Sequence, residues 1–380
     1  MDKVCGLDVH KDSVFACILD EKGEKILESR YGTLTPDLDK LRDDLVAHCV
    51  GRVAMESTSI YWIPLWHVLV SDFEMKLVNP QFIKQLPGRK SDVKDAHWIA
   101  QCLQKDLIKG SFVPETHLQQ MRQYSRRYRY LSKQIVRVEQ QIDNLLQRCN
   151  IRMSNYVSNQ GSSVSMRKVV RGIIQGERDP VKLAGLVHGR ITNKHGLETI
   201  QASLTGVINA TDVEILSQCM EELELIEKQQ SQCIKHLEEL ALQNYAEEIS
   251  LLCTIPGIQT LSAMLILSEI GGDMSAFSSA SMLTGWAGLR PRNEESAGKI
   301  RSRKVLHGNK YLRQILIEVS WSAGRSKRSF LGKKYRELSG RMKSQKALVA
   351  ITRKLLVIIY NVLSKKQPFD YKRNMQATAA

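Results

Sequence analysis

Four carboxylates within the first hundred residues, Asp8, Glu56, Asp92 and Asp95, have types and spacings that can hold divalent cations. Asp8 stands inside the run KVCGLDVH, where a charge is costly to bury unless it is paired or ligates a metal. Glu56 closes the run RVAME. Asp92 and Asp95 lie three apart in KSDVKDA, hence on one face of a helix. All-oxygen donors suit magnesium, and two ions about 4 Å apart can activate an attacking oxygen and stabilise a leaving one at a phosphodiester. Singly, each acid has a plainer reading. Asp8 can be a strand-end residue facing water, Glu56 a surface charge, and Asp92 an acid favoured by a helix dipole. Together they form one metal site, because they occupy the positions where a single fold needs acids. His10, Lys11, Lys90 and His97 flank them and are either phosphate contacts or solvated side chains.

The elements that must position these acids follow from the apolar patterning. Residues 3–10 and 13–20 are short Val-, Leu-, Ile- and Phe-rich runs parted by Lys11 and Asp12, as in a hairpin, and 25–31 is a third strand. Leu38, Leu41, Leu45 and Val46 recur at helical spacing over 36–50, with Thr35 as the N-cap. Residues 52–56 form a strand, 64–70 a helix and 75–78 a strand. A helix over 91–105 is opened by Ser91 and patterned by Val93, Ala96, Ile99, Ala100 and Leu103. Three strands, helix, strand, helix, strand, helix is the order of a ribonuclease-H-like domain, in which the first and fourth strands are neighbours.

Beyond this segment, 117–150 and 212–250 are proline-free and charged. Leu131, Ile135, Val138, Ile142 and Leu145 pattern the first, and Ile215, Met220, Leu223, Ile226, Ile234, Leu237 and Ala241 the second. They are expected to be long amphipathic helices, packed as an antiparallel coiled coil or a dimerisation arm. Arg122, Arg126, Arg127, Arg129 and Lys133 make the first a phosphate contact or a simple spacer. Residues 154–210 read as polar and irregular, without legible chemistry. From Leu251 the chain reads as helix, tight turn at Pro256 and Gly257, then helix. This is either a helix-hairpin-helix that offers backbone N–H groups to phosphate or a structural hairpin, with Gln259 where a second glycine is usual. In GWAGLRPRNEESAGKIRSRKVLHGNKYLR, Ser296 occupies a Ser-Ala-Gly turn. A serine there is ordinarily a turn residue. Yet the cations around it (Arg292, Lys299, Arg301, Arg303, Lys304, Lys310 and Arg313) can orient a phosphate and stabilise an alkoxide.

Charge points to a polyanionic partner. Of 55 Lys and Arg and 40 Asp and Glu, 23 and 5 fall between Arg290 and Arg373, so the rest of the chain is close to neutral. A concentrated basic segment gains affinity for nucleic acid by releasing condensed counterions. The eight cysteines form no CxxC pair and have no His at zinc-ligand spacing, which excludes a zinc site and suits reduced thiols in the cytoplasm. The N-terminus lacks the apolar stretch of a secretory signal, and no run approaches the ~18 apolar residues of a membrane span, so no membrane partner is expected.

Several motifs carry a resemblance. GLDVHK, ME at Glu56, KSDVKDA, TIPGI, GLRPRNEESAGK, HGNKYLR and KALVAITRKLLVIIYNVL are similar to those of the insertion-sequence one-ten and eleven-eleven transposases, which are DEDD recombinases with a RuvC-like N-terminal domain. Two distant motif sets occur in the right order, and 154–210 is not covered. The resemblance implies magnesium held by Asp8, Glu56, Asp92 and Asp95, with Ser296 as a nucleophile that becomes covalently linked to DNA. The family's Ser-Gly-Gly-like turn is Ser-Ala-Gly here, and Ser302 is next in line. It also implies a noncoding bridge RNA pairing with donor and target DNA, and a homo-oligomer, dimer or tetramer, in which one protomer's carboxylates can serve another's serine. The expected chain is α/β plus α. It comprises a ribonuclease-H/RuvC-like catalytic domain (1–112), a helical coiled-coil region (113–250), a mainly helical transposase domain with a helix-hairpin-helix-like segment (251–373) and a flexible tail (374–380), acting in the bacterial cytoplasm at the nucleoid. Two other functions fit the same residues. A RuvC-like junction endonuclease would hydrolyse DNA with water and not need Ser296, and a non-catalytic nucleic-acid scaffold would need none of the acids.

Overall fold

The computed structural model describes residues 3–79, 95–108, 110–157, 163–291, 305, 307–327 and 329–370, together with the backbone of 294–296 and 299–302. Asp92, Lys90, Arg292, Arg303, Lys304 and the tail 374–380 lie outside the described residues. The chain divides into two compact units, Met1–Pro114 and Glu115–Ala380. The expected boundary at 250–251 falls near the end of a helix in the second.

The first unit is built on β1 (Lys3–Val9), β2 (Val14–Leu19), β3 (Lys25–Tyr31), α1 (Thr35–Ala47), β4 (Val50–Glu56), α2 (Trp62–Leu69), β5 (Glu74–Val78) and α3 (Asp95–Gln104). The five strands form one sheet in the order β3-β2-β1-β4-β5, with β1 antiparallel to β2 and parallel to β4. Both faces are covered. Cys5, Leu7, Val53 and Met55 pack with Leu38, Leu41 and Leu45 of α1 and Leu65 and Leu69 of α2. Val4, Cys17, Ala54 and Val78 pack with Ala96, Ile99, Ala100 and Leu103 of α3. α1 differs from expectation at both ends. Leu34 rather than Thr35 is the N-cap, because Pro36 is best placed in the first turn and Asp37 Oδ2 accepts from the Leu34 N–H at 3.3 Å. The helix stops at Ala47, and Cys49 at φ 56° turns the chain into β4 at Val50.

The second unit is helical around a long pair. α4 (Thr116–Arg148) is followed by α5 (Val164–Ile174), α6 (Pro180–Gly185), α7 (Gly189–His195) and α8 (Leu197–Ser203), then by α9 (Ala210–Cys253). Contacts of His117 with Tyr245, Arg127 with Gln229 and Arg148 with Asp212 make α4 and α9 antiparallel. Residues 154–210 are therefore not irregular. Val169, Val170, Ile173, Leu183, Ala184 and Ile200 form a core with Val138, Ile142 and Leu146 of α4 and Leu216, Met220 and Leu223 of α9. α5 packs on α9, α6 packs on α5 and α8, and α7 packs on α8, so these helices are covered by partners brought together only in the fold.

At the other end of that pair stand α10 (Thr260–Ile270), α11 (Ala280–Trp286), a hairpin of β6 (Glu294–Ser296) and β7 (Lys299–Ser302), α12 (Lys310–Arg325), α13 (Phe330–Ser339) and α14 (Ser344–Lys365). Gly257, at φ +96°, turns α9 into α10, and a Cβ there would lie 2.8 Å from the Ala323 methyl of α12. That turn faces a packed helix. α14 is long and apolar enough to cross a membrane, but half of its most apolar stretch is buried inside the unit, where Ile351, Leu355, Leu356 and Ile359 join the core.

Candidate active site

Side chains alternate across a strand, so the packing of β1 and β4 fixes where their acids point. Leu7 pairs with Met55 in parallel register, and one residue further along both strands stand Asp8 and Glu56. Val4 and Ala54, of the same parity, pack beneath α3, which puts both acids on the α3 side of the sheet at one edge. The Asp8 side chain is only 12% exposed and its Oδ2 lies 3.0 Å from His10 Nε2. Glu56 is half-buried and is paired with Val78 in the sheet.

α3 is held hard against β1. A Cβ on Gly6 would meet the Ala96 carbonyl oxygen at 2.2 Å and the Ala100 nitrogen at 2.4 Å, so only glycine allows this approach. The direction of the helix follows from its contacts. His97 Nδ1 lies 3.4 Å from Cys17 Sγ, and Cys17 pairs with Gly6. Gln104 Nε2 donates to the Asp20 carbonyl at 2.6 Å, just past the residue that pairs with Val4. α3 therefore runs antiparallel to β1 and starts, at Asp95, at the edge that carries Asp8 and Glu56. Its N-terminal dipole also favours an acid there. Among the described residues, no three His, Cys, Asp or Glu side chains form a group that could hold a metal ion. The fourth expected acid, Asp92, lies outside them.

The row across the sheet continues in a way the sequence reading missed. Phe15 is the register partner of Asp8, and Arg30 that of Phe15. Arg30 Cζ lies 5.7 Å from the Phe15 ring centroid, and the His10 ring meets Phe15 edge-on at 5.9 Å. Glu56, Asp8, Phe15 and Arg30 thus form one line across four strands. The signal was the period-2 alternation of both hairpin strands, which becomes a row only once the register is known. His97 is used under α3, whereas Lys11 is exposed.

The second set of expected site residues lies in the second unit. Ser296 is the last residue of β6 and pairs with Lys299. Glu294 pairs with Ser302, and Pro291 bridges to Val305 further down. Ser296, Lys299 and Arg301 are described by backbone only. Lys310 is exposed at the start of α12, its Nζ 5.2 Å from the Tyr311 ring, and Arg313 is half-buried.

Arg122, Arg126 and Arg129 of α4 are taken up by partners within the unit and are not free for phosphate. Arg126 donates from Nε and Nη2 to the two carboxylate oxygens of Glu269, both at 3.0 Å. Arg122 donates to the Ser268 and Glu269 carbonyls at 3.1 and 2.5 Å, and Arg129 donates to Glu318. Burial works against the Arg126 charge, but the hydrogen bonds and charge of Glu269 outweigh it and raise its pKa. For Arg122, burial prevails and lowers it. Asn309 Nδ2 donates to Glu269 at 2.7 Å. The sequence signal for this cluster was a lone Glu in the otherwise apolar TLSAMLILSEI.

Residues 5–151 match a family described as transposase, of the DEDD type of IS110, and residues 249–336 match one described as the transposase IS116/IS110/IS902 family. The chain is also similar to the pilin gene-inverting protein of Moraxella lacunata, 39% identical over 129 residues, covering 32% of this chain and 38% of that protein. The corresponding protein of Moraxella bovis is 39% identical over 127 residues, with the same shares. These matches span little more than a third of each relative's length. The two family matches together take in the carboxylate edge at one end and, at the other, Glu269, Asn309 and the hairpin that carries Ser296, and the chain belongs to the IS110 family of transposases.

Proposed function

We propose that the protein cuts and rejoins DNA as a magnesium-dependent transposase. In this reading Asp8, Glu56, Asp92 and Asp95 of a RuvC-like domain hold the metal and Ser296 is the nucleophile. The observation that supports it most is the Asp8–Glu56 pair on neighbouring parallel strands at the edge where α3 begins with Asp95. An all-oxygen donor set on three elements fits magnesium and gives zinc or copper no preferred ligand. Bound there, magnesium would neutralise charge on the scissile phosphate. His10 holds Asp8 Oδ2 in place from the exposed side.

In the reaction, Ser296 Oγ attacks phosphorus. The Oγ–P bond forms as the bond to the leaving deoxyribose oxygen breaks, and the serine proton passes to that oxygen. Attack by the hydroxyl of a second strand end reverses these changes and frees the serine, so rejoining needs no external energy source. Arg292, Lys299, Arg301, Arg303, Lys304, Lys310 and Arg313 hold the nucleic acid near the serine, and Lys11 and Lys90 hold it near the carboxylates. The partners are donor and target DNA and a bridge RNA, with homo-oligomers supplying more than one strand exchange. The relatives named for pilin gene inversion favour a closely related outcome, in which the same exchange inverts a segment between two sites.

The test uses the full-length protein, RNA from its own locus and a labelled nicked DNA in magnesium. Wild type is expected to give a strand that migrates with the protein on a denaturing gel and to give joined products. Ser296→Ala is expected to bind RNA and DNA but yield neither. An undiminished adduct in Ser296→Ala moves the nucleophile to Ser302, and cleavage without any adduct in the wild type returns the chain to a hydrolytic junction endonuclease.

A further inference from the structure

Glu269 is fully buried on α10, a helix whose other residues from Ala263 to Ile270 are buried with it and are mostly apolar. A buried ion pair is often no more stabilising than apolar packing of the same volume. A leucine would therefore fill the site, but it could not accept hydrogen bonds. Glu269 accepts two from Arg126 and one from Asn309, which lie 143 and 40 residues away in the chain.

Asn309 is the hinge of this arrangement. Its Oδ1 caps α12 by accepting from the Tyr311 and Leu312 N–H groups, both at 3.0 Å. Its Nδ2 reaches Glu269, and its backbone N–H donates to the Trp286 carbonyl at 3.0 Å. Beside it, a Cβ on Gly308 would lie 2.2 Å from the Gly288 nitrogen, so the chain leaving α11 and the chain returning to α12 touch backbone to backbone. Those two segments lie next to the Pro291–Val305 bridge, beyond which Ser296 pairs with Lys299. Arg126 also lies over the Tyr311 ring, with Cζ 4.5 Å from its centroid, which ties α4 to the same base.

We propose that Glu269, acting through Asn309, is a positioning residue that fixes the direction of the Ser296 hairpin for strand cleavage. The inference rests on the reading of Ser296 as the nucleophile. Ser296 stands five residues beyond the Pro291–Val305 bridge, a length of chain that reaches at most roughly 17 Å. A tilt of roughly 5° at the base then moves the tip by up to about 1.5 Å, and a misplacement of about 1 Å can cost ~10²-fold in rate.

The test uses full-length Asn309→Asp and the double variant Asn309→Asp with Glu269→Gln. The introduced aspartate keeps the α12 cap but sets a second carboxylate against Glu269. The double variant removes the like-charge repulsion and offers the introduced aspartate an amide donor, but it keeps only the Arg126 Nε bond, because Arg126 Nη2 and Asn309 Nδ2 share Glu269 Oε2. Asn309→Asp is expected to speed amide exchange across 294–302 by about tenfold and to slow adduct formation by about 10- to 100-fold with DNA affinity unchanged. The double variant is expected to recover part of both. Asn309→Ser, which keeps a cap but whose hydroxyl is too short to cap α12 and reach Glu269 together, should resemble the single aspartate variant and guards against a folding failure. Unchanged hairpin exchange in Asn309→Asp and Asn309→Ser overturns the inference whatever Ser296 does. Absence of an adduct in the wild type instead overturns the reading of Ser296, and exchange alone then decides the anchoring role.

Discussion

Asp8 places a carboxylate near the end of the central strand β1, where the residues from Val4 to Val9 are otherwise apolar or glycine, and His10 lies 3.0 Å from it on the exposed side. A strand that needed only stability would place valine there, because burying a carboxylate without full pairing costs free energy. Asp8→Asn keeps the volume and removes the charge. It is expected to lower magnesium-dependent strand cleavage by a factor on the order of 10³ or more, with an unchanged or raised melting temperature. Labelled-strand cleavage beside a thermal melt checks both, and near-wild-type cleavage would remove Asp8 from the site. Glu56→Gln and Asp95→Asn belong to the same series.

The contact between α3 and β1 makes an element-level demand at Gly6, because the obstacles to a Cβ there are backbone atoms that cannot rotate away. Gly6→Ala must push the helix off the sheet. A cost of about 3 kcal/mol is expected, lowering the melting temperature of the first unit by roughly 10 °C. Since Asp95 begins the displaced helix, cleavage should fall as well. Gly6→Ala that melts like wild type would contradict the close approach. In the second unit, Asp212 joins the start of α9 to the end of α4. The hydrogen bond from Arg148 and then the Asn209 backbone N–H hold its carboxyl below the usual 3.8. A depressed folded pKa stabilises above the unfolded value and loses that contribution as the pH falls through the folded one. Asp212→Asn should therefore be less stable than wild type near neutral pH, with a gap that narrows below pH about 3.8, as urea titrations at the two pH values would show. A gap independent of pH would assign the effect to capping alone.

Across the whole molecule, the basic C-terminal segment serves two purposes that composition does not separate. Removing it from about Ser320 onward would strip Leu355, Leu356 and Ile359 from the core, so truncation would test folding and not binding. The exposed cations where α13 gives way to α14 allow a cleaner experiment. Arg341, Lys343 and Lys346 are all exposed, and replacing the three with alanine should leave the melt unchanged. If they contact phosphates, nucleic-acid affinity should fall and the log–log salt slope should become shallower by up to about 3. An unchanged slope in filter binding at several salt concentrations would place the contacts elsewhere.

The sequence by itself determined the order of strands and helices in the first unit, the acid inside β1, the long helices of the second unit and the turn at Gly257. Each of these is written in local periodicity or in one residue's backbone freedom, which act within a few residues of chain. It also carried the family, through motifs at both ends. Only the tertiary structure decided that Phe15 and Arg30 extend the Asp8 row, because register joins residues on separate strands. The same holds for 154–210, where short helices gain a buried face only by packing on one another and, through α5, on α9. It holds most clearly for Arg122 and Arg126. As letters in an amphipathic helix they could as well have met phosphate, but the carboxylate that takes up Arg126 comes from Glu269, and no local pattern reports whether a charge will face water or a partner brought in from 143 residues away.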